Sequence, residues 1–378
     1  LLAAEAADKA VEICEGSDRA LITGSTGKKT DLLNVMADVE NSMFSRFTNE
    51  EYLLEWKYTN TFHKFTLPRL VGDDKNFDAQ AVGCLSPSMK MVEMYYTENG
   101  LPIDADITWN YSNRYKLGSE SSPEYEGVIP MNTSVVNLHL RREPRFYASI
   151  AGDRMYWQRG TNTAQDDYNL LVEAHKGEVP WGTQYDFIIS NSWQNINGYW
   201  LKKHLFSWFQ TLGYSNNLQG NETAAIIRLA EVYLMQSEAW NEYLDQPDSR
   251  VYDPIDKVRE RAGILPVREA WGSYSNNPTK VTTKVGMREI IHQEYNIEFA
   301  FEGHRYWNLR RWLIAHQILN EKQYGWNVIG TTDQAFYNYE TGPVVVWSSN
   351  KFVAPRDYLT PFDAEEILIS GMVQNPQW

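Results

Sequence analysis

Apolar residues recur at helical spacing in several stretches of this chain, and the period disappears in the long span between them. The clearest stretch is "TAAIIRLAEVYLMQSEAWNEYL" (223–244). There Ile226, Ile227, Ala230, Tyr233, Leu234, Ser237 and Trp240 fall at three- and four-residue steps, predicting one helix with a wide apolar stripe. A second helix, near Tyr252 to Ala262, is stopped by Gly263, which is free to take the left-handed conformation of a helix end. The two predict a helical hairpin. Residues 1–15 and 31–59 also read as helices, joined by a Gly-, Ser- and Thr-rich loop, and another helix begins near Gly286. Neither the hairpin nor the opening helices repeat cleanly at the period of about 34 residues typical of tetratricopeptide arrays. Between 61 and 222 the chain changes to short mixed segments rich in Asn, Gly, Ser, Tyr and Trp, the texture of long loops that carry binding surfaces. The expected fold is therefore mostly α. It comprises scaffold helices at 1–60 and 223–320, an irregular loop-rich region at 61–222 and a C-terminal segment at 321–378.

Composition narrows the function. The 378 residues include 14 Trp, 23 Tyr and 14 Phe, flat amphipathic rings that either fill cores or line surfaces for other flat or apolar groups. A net charge of −14 repels a phosphate backbone and argues against a nucleic-acid partner. The two cysteines, Cys14 and Cys84, make neither a disulfide scaffold nor a zinc module. No apolar run is long enough to span a bilayer. The opening "LLAAEAADKAVEICEG" has no signal-peptide pattern and no N-cap residue before Leu1, so it reads as the middle of a helix.

Candidate chemistry concentrates in "IEFAFEGHRYWNLRRW" (297–312). With Glu294, Glu298 and Glu302 four residues apart on one predicted helix face and Arg305 three further on, like charges stack along successive turns. Two readings follow. Glu298 and Glu302 form a catalytic pair for glycoside hydrolysis, because side chains four apart sit about 5–6 Å from each other. Alternatively, the three glutamates join an ion network with Arg305, Arg310 and Arg311 of the same helix, with Arg228, Arg259 and Arg261 of the preceding hairpin as further candidates. The second is favoured, because Phe299, Ala300 and Phe301 leave no hint of a cleft and both carboxylates would approach a sugar from one side only. "GSTGKKT" (24–30) resembles a phosphate-binding loop but lacks its first glycine and its final Ser/Thr. "DDKNFD" (73–78) starts like a calcium loop and fails at Ala79 and Leu85. No metal or cofactor is predicted.

Five ordered segments resemble the SusD/RagB family of outer-membrane nutrient-binding lipoproteins of the Bacteroidetes. They are "LSPSMKMVEMYYTENGLPID" (85–104), "RREPRFYASIAG" (141–152), "IIRLAEVYLMQSEAWNE" with "DPIDKVRERAGI" (226–242, 253–264), "IEFAFEGHRYWNLRRW" (297–312) and "YLTPFDAEEILISGMVQNPQW" (358–378). The chain departs from the family pattern at Tyr295 and Asn296, where arginines are usual, at Asn308 in place of Asp, and at Gln377 in place of Gly. The resemblance implies tetratricopeptide-like hairpins carrying a loop-rich ligand surface, in a protein that is not an enzyme. It also implies a cell-surface location, anchored to the outer membrane by a lipidated cysteine. That lipoprotein would bind oligosaccharides or polysaccharides and pass them to a SusC-like TonB-dependent transporter; peptide capture is the alternative within the family. Roughly a fifth to a third of a complete member would precede residue 1.

A sugar presents an apolar C–H face and a polar rim, so its site needs rings surrounded by amides and carboxylates. The span 156–200 has both, and Trp157, Trp181, Tyr185 and Trp193 are the stacking candidates there. Trp240 and Trp307 lie on periodic helices and are expected in the core.

Overall fold

The computed structural model describes residues 1–45, 48–57, 68, 85–157, 170–187, 194–204 and 223–378. Helix α1 (Leu2–Glu15) buries Ala4, Ala7, Val11 and Cys14, a stripe at three- and four-residue steps. Helix α2 (Asp31–Met43) buries Leu32, Met36, Val39 and Met43 in the same way. The continuation of this helix to residue 59 does not occur. Instead the chain becomes extended in β1 (Phe44–Ser45) and β2 (Tyr52–Lys57). Within the loop before α2, the Ser25 and Lys28 backbone N–H groups donate to Asp38 and Asn34, so they are not presented to a phosphate.

The loop-rich part contains helix α3 (Met89–Met94), capped by the Ser88 hydroxyl, and helix α4 (Pro144–Ser149), which starts on proline. Otherwise it has two- and three-residue strand pairs, such as Ile150–Gly152 with Tyr199–Leu201 and Tyr156–Trp157 with Leu170–Leu171. Backbone outside regular elements needs other partners. Arg142 supplies them: its buried guanidinium donates to the carbonyls of Val92, Tyr95, Tyr96 and Leu138.

β3 (Thr223–Arg228) lies between β1 and β2 and pairs antiparallel with both, Tyr52 opposite Arg228 and Trp56 opposite Ala224. This corrects the reading of 223–244 as one helix. β-Branched Thr223, Ile226 and Ile227 suit a pleated ribbon, and the strand that stabilises them lies far away in sequence. The helix proper, α5 (Leu229–Tyr243), follows and forms the hairpin with α6 (Ser249–Arg261). Ser237 Oγ donates to the Val251 carbonyl at 2.7 Å across it. Beyond α6 the chain turns at Gly263, with φ of 71°. Next come α7 (Val267–Tyr274) and α8 (Lys284–Glu298), the latter capped by Thr283. α5 packs against α1, α6 and α8.

After α8 the expected single helix breaks. Phe301 and Gly303 take left-handed φ values of 66° and 86°, and the chain restarts as α9 (His304–Arg311). A hairpin of β4 (Gln323–Gly325) and β5 (Val344–Trp347) follows. The fold is thus mostly helical with a large irregular region. It has two principal cores. One joins α1, α5, α6, α7 and α8; the other gathers the irregular segments around Phe146, Trp157, Trp181, Tyr199, Trp200 and Trp326. No helix among the described residues is long and apolar enough to cross a membrane.

Candidate functional site

The densest charge cluster sits where the two cores meet. Arg145 Nη1 lies 2.6 Å from Glu294 Oε1 and 3.0 Å from Glu298 Oε2, and its Nε donates to Glu143 at 2.6 Å. Arg228 spans Glu51 at 2.8 Å, Glu298 at 2.5 Å and Glu302 at 3.0 Å. Arg259 pairs with Glu294 at 3.0 Å, Arg261 with Glu298 and Glu51, and Lys203 with Glu302 at 2.7 Å. Glu51, Glu143, Glu294, Glu298 and Glu302 therefore face Arg145, Lys203, Arg228, Arg259 and Arg261, charge for charge. All are nearly excluded from solvent.

Arg305, Arg310 and Arg311 take no part, which corrects the expectation for them. The break at 299–303 redirects α9. Arg305 Nη1 contacts Met94 Sδ at 3.9 Å, Arg310 donates to the Tyr306 hydroxyl and the Tyr358 carbonyl, and Arg311 forks onto Glu238. The same break leaves Trp307 exposed at 64%, contrary to the core position expected of it, whereas Trp240 is buried. Arg145, Lys203, Glu51 and Glu143 escape a sequence reading because no local pattern connects them to glutamates and arginines more than ninety positions away.

A catalytic role for Glu298 and Glu302 does not fit this geometry. Burial pushes the Glu298 carboxyl up, but Arg261, Arg228, Arg145 and Lys203 outweigh it and hold the group well below the usual carboxylate range. Burial likewise opposes Arg228 and Lys203 at Glu302, which is held at about 2. A general acid in glycoside hydrolysis needs the opposite shift and access to the sugar. His304 lies 3.5 Å from Glu231 and packs on Phe299.

The stacking candidates divide. Trp157 and Trp181 are each only 4% exposed and pack on one another, with ring centroids 5.4 Å apart; Trp181 also meets Trp200 edge-on at 5.2 Å. Rings at that depth cannot receive a sugar from solvent, so the structure corrects their expected exposure. The Trp181 indole N–H is nevertheless buried with no acceptor among the described residues. Tyr185 is 38% exposed. Trp193 and the residues 73–78 lie outside the described residues.

Beside this region, Asp153, His175 and Glu178 bring donor atoms within 4.8 Å of one another. Arg154 already takes Glu178 at 3.0 Å and Tyr337 donates to Asp153 at 2.8 Å. The arrangement is thus filled as a hydrogen-bonded ion cluster. Two open concavities also occur among the described residues. One, of about 560 Å³, includes Glu93, Tyr115 and Tyr324. The other, of about 570 Å³, includes Tyr306, Arg310 and Trp378.

Comparison with known proteins identifies the class. The profile of the SusD family matches residues 43–378, and the chain belongs to that family. SusD-like protein P25 of Formosa agariphila is 32% identical over 117 residues, covering 31% of this chain and 20% of that protein. SusD-like protein P2 of the same organism is 26% identical over 183 residues, covering 46% and 30%. Among solved structures, BT4246 in its selenomethionine form superposes with a TM-score of 0.77 at 20% identity, over 99% of this chain and 64% of that one. A SusD-like protein (BF3747) from Bacteroides fragilis superposes with a TM-score of 0.64 at 20% identity, over 100% and 63%. The chain therefore spans less than two thirds of the length of these relatives.

Proposed function

We propose that this protein binds oligosaccharides or polysaccharides at the cell surface without catalysis and delivers them to a SusC-like TonB-dependent transporter in the outer membrane. Family membership across residues 43–378 carries the reading. A structural relative named as a SusD-like carbohydrate binding protein, from Bacteroides fragilis, supports the ligand class; it superposes with a TM-score of 0.57 at 20% identity over 97% of this chain. The membrane association would run through a lipid anchor.

Within the chain we assign the ligand surface to the loop-rich region. Tyr185 and Trp193 are the stacking residues, whereas Trp157 and Trp181 are packed in the core. Gln184 and Asp186 flank Tyr185 in sequence and supply an amide and a carboxylate for a hydroxyl rim. Affinity electrophoresis of the complete protein through gels containing neutral polysaccharides tests this. Retardation should be lost in a Tyr185→Ala/Trp193→Ala variant that keeps its thermal midpoint. Unchanged retardation overturns the site assignment, and binding of mixed peptides in place of glycans overturns the ligand class. Co-purification of a barrel transporter with the tagged protein tests the partner.

A further inference from the structure

We infer that the cleft between α3 and the β4–β5 hairpin is a second binding site, for a short neutral oligosaccharide, built from residues other than the loop tryptophans. The inference rests on the saccharide reading above. At about 560 Å³, the cleft falls within the range of roughly 300–1,000 Å³ that accommodates small ligands. Tyr324 on β4 offers a ring that is 41% exposed, and Tyr115 also lines the cleft.

The polar groups suit an uncharged polyol. The cleft carries Lys90 and Lys322 against Glu93 and Glu321, so its net charge cancels and it has no preference for an anion or a cation. Lys90 and Glu321 pair with each other. Among the described residues, Glu93 is fixed through one oxygen: Oε1 accepts from the Tyr115 hydroxyl at 2.6 Å and from Arg114 Nε at 3.0 Å. The second oxygen of this oriented carboxylate remains to accept from sugar hydroxyls, a charge-assisted bond of the stronger kind.

One wall, formed by Thr341, Gly342 and Pro343, follows directly on a strained turn. Asn338, Tyr339 and Glu340 all take left-handed φ values, 49°, 54° and 59°, which L-residues avoid and which persist where surrounding structure enforces them, often at ligand sites. Asn338 Nδ2 braces the turn on the Gly342 carbonyl at 2.9 Å. Gly342 has φ of 118°, and a Cβ there would stand 3.1 Å from the Tyr115 ring. The turn thus presses directly against the aromatic wall. In the other concavity both exposed rings carry a cation, Arg356 over Trp378 at 4.6 Å and Arg310 over Tyr306 at 5.2 Å.

The test is isothermal titration of the complete protein with neutral glucose and mannose hexasaccharides, in a Tyr185→Ala/Trp193→Ala background that silences the loop surface. Residual binding should remain. Adding Tyr324→Ala or Glu93→Gln should weaken it roughly five- to tenfold, the loss expected for one stacked ring or one charged acceptor. Tyr324→Phe should bind like the background, and thermal midpoints should not move. If the background retains no binding while the unmodified protein binds, or if Tyr324→Ala and Glu93→Gln change nothing, the cleft is not a site and the saccharide reading stands. If the unmodified protein binds none of these sugars, the saccharide reading fails and the cleft assignment with it.

Discussion

The helical scaffold and the loop-rich region both bury arginines and, apart from Arg145, which joins the scaffold glutamates, satisfy them differently. In the scaffold, Arg228, Arg259 and Arg261 meet glutamates. In the loops, Arg142 meets four backbone carbonyls and no carboxylate among its hydrogen-bond partners. The difference follows from the backbone. A helix closes its own N–H and C=O groups, so charged side chains on its faces are left to lock against each other. Irregular loops leave carbonyls unpaired, and a five-donor guanidinium is an economical way to collect them. Burial draws Arg142 down to about 10, still far above neutrality, so the cation persists. Around it the core is aromatic: Trp326 Nε1 donates to the Tyr199 hydroxyl at 2.9 Å, and burial pushes His139 beside them down to about 3, keeping its ring neutral.

The largest effect is expected at the scaffold lock. Arg228→Ala leaves Glu51, Glu298 and Glu302 under-compensated in a dry site and should cost about 3–5 kcal/mol in chemical denaturation. Arg311→Ala, which removes the half-exposed partner of Glu238 and leaves that carboxylate its bond from the Trp312 indole, should cost far less, about 1 kcal/mol. Equal losses would dissolve the distinction between lock and surface pair. In the loops, Arg142→Met retains bulk but strands buried carbonyls, for which about 3 kcal/mol is expected; a loss below about 1 kcal/mol would mean those carbonyls find other donors.

Acid should separate the regions further. The folded Glu302 carboxyl, at about 2, lies below its ordinary value of 4.5. Its contribution is therefore fully present above pH 4.5 and is lost as pH falls towards 2. Glu298 shifts in the same direction, while Glu143, pushed up by burial despite Arg145, opposes them. Denaturation midpoints measured from pH 6 to pH 2.5 should fall, and Lys203→Met should flatten part of that slope. The smallest effect concerns Gln377, whose φ of 70° is one glycine adopts without cost. Gln377→Gly should be stabilising by about 0.5 kcal/mol or neutral, and a loss above about 1 kcal/mol would show that the side chain has a role.

Much of the scaffold was readable from local pattern, and its failures are physical. Tyr252 to Ala262 and the stop at Gly263 needed only helical period and one glycine. Thr223–Arg228 misled because its period continues that of α5, while its strand pairing with Tyr52–Lys57 is a long-range fact. The break at Phe301 and Gly303 was hidden inside a favourable charge spacing, and it moved Arg305, Arg310, Arg311 and Trp307 off the face assigned to them. Among the aromatics, composition located the loop-rich cluster. It could not distinguish Trp157 and Trp181, which fill the core, from Tyr185, which reaches solvent, because a ring suits either place.

The central claim is that the charge-dense segment at 294–302 locks the framework and that ligand is held elsewhere. Glu298→Gln tests it most directly, with unfolding free energy and neutral-glycan affinity measured on the same complete, folded protein. The account predicts a stability loss of about 3–5 kcal/mol with unchanged glycan affinity below the unfolding transition. Unchanged stability with lost glycan binding, or loss of a sugar-releasing activity present in the unmodified protein, would contradict it.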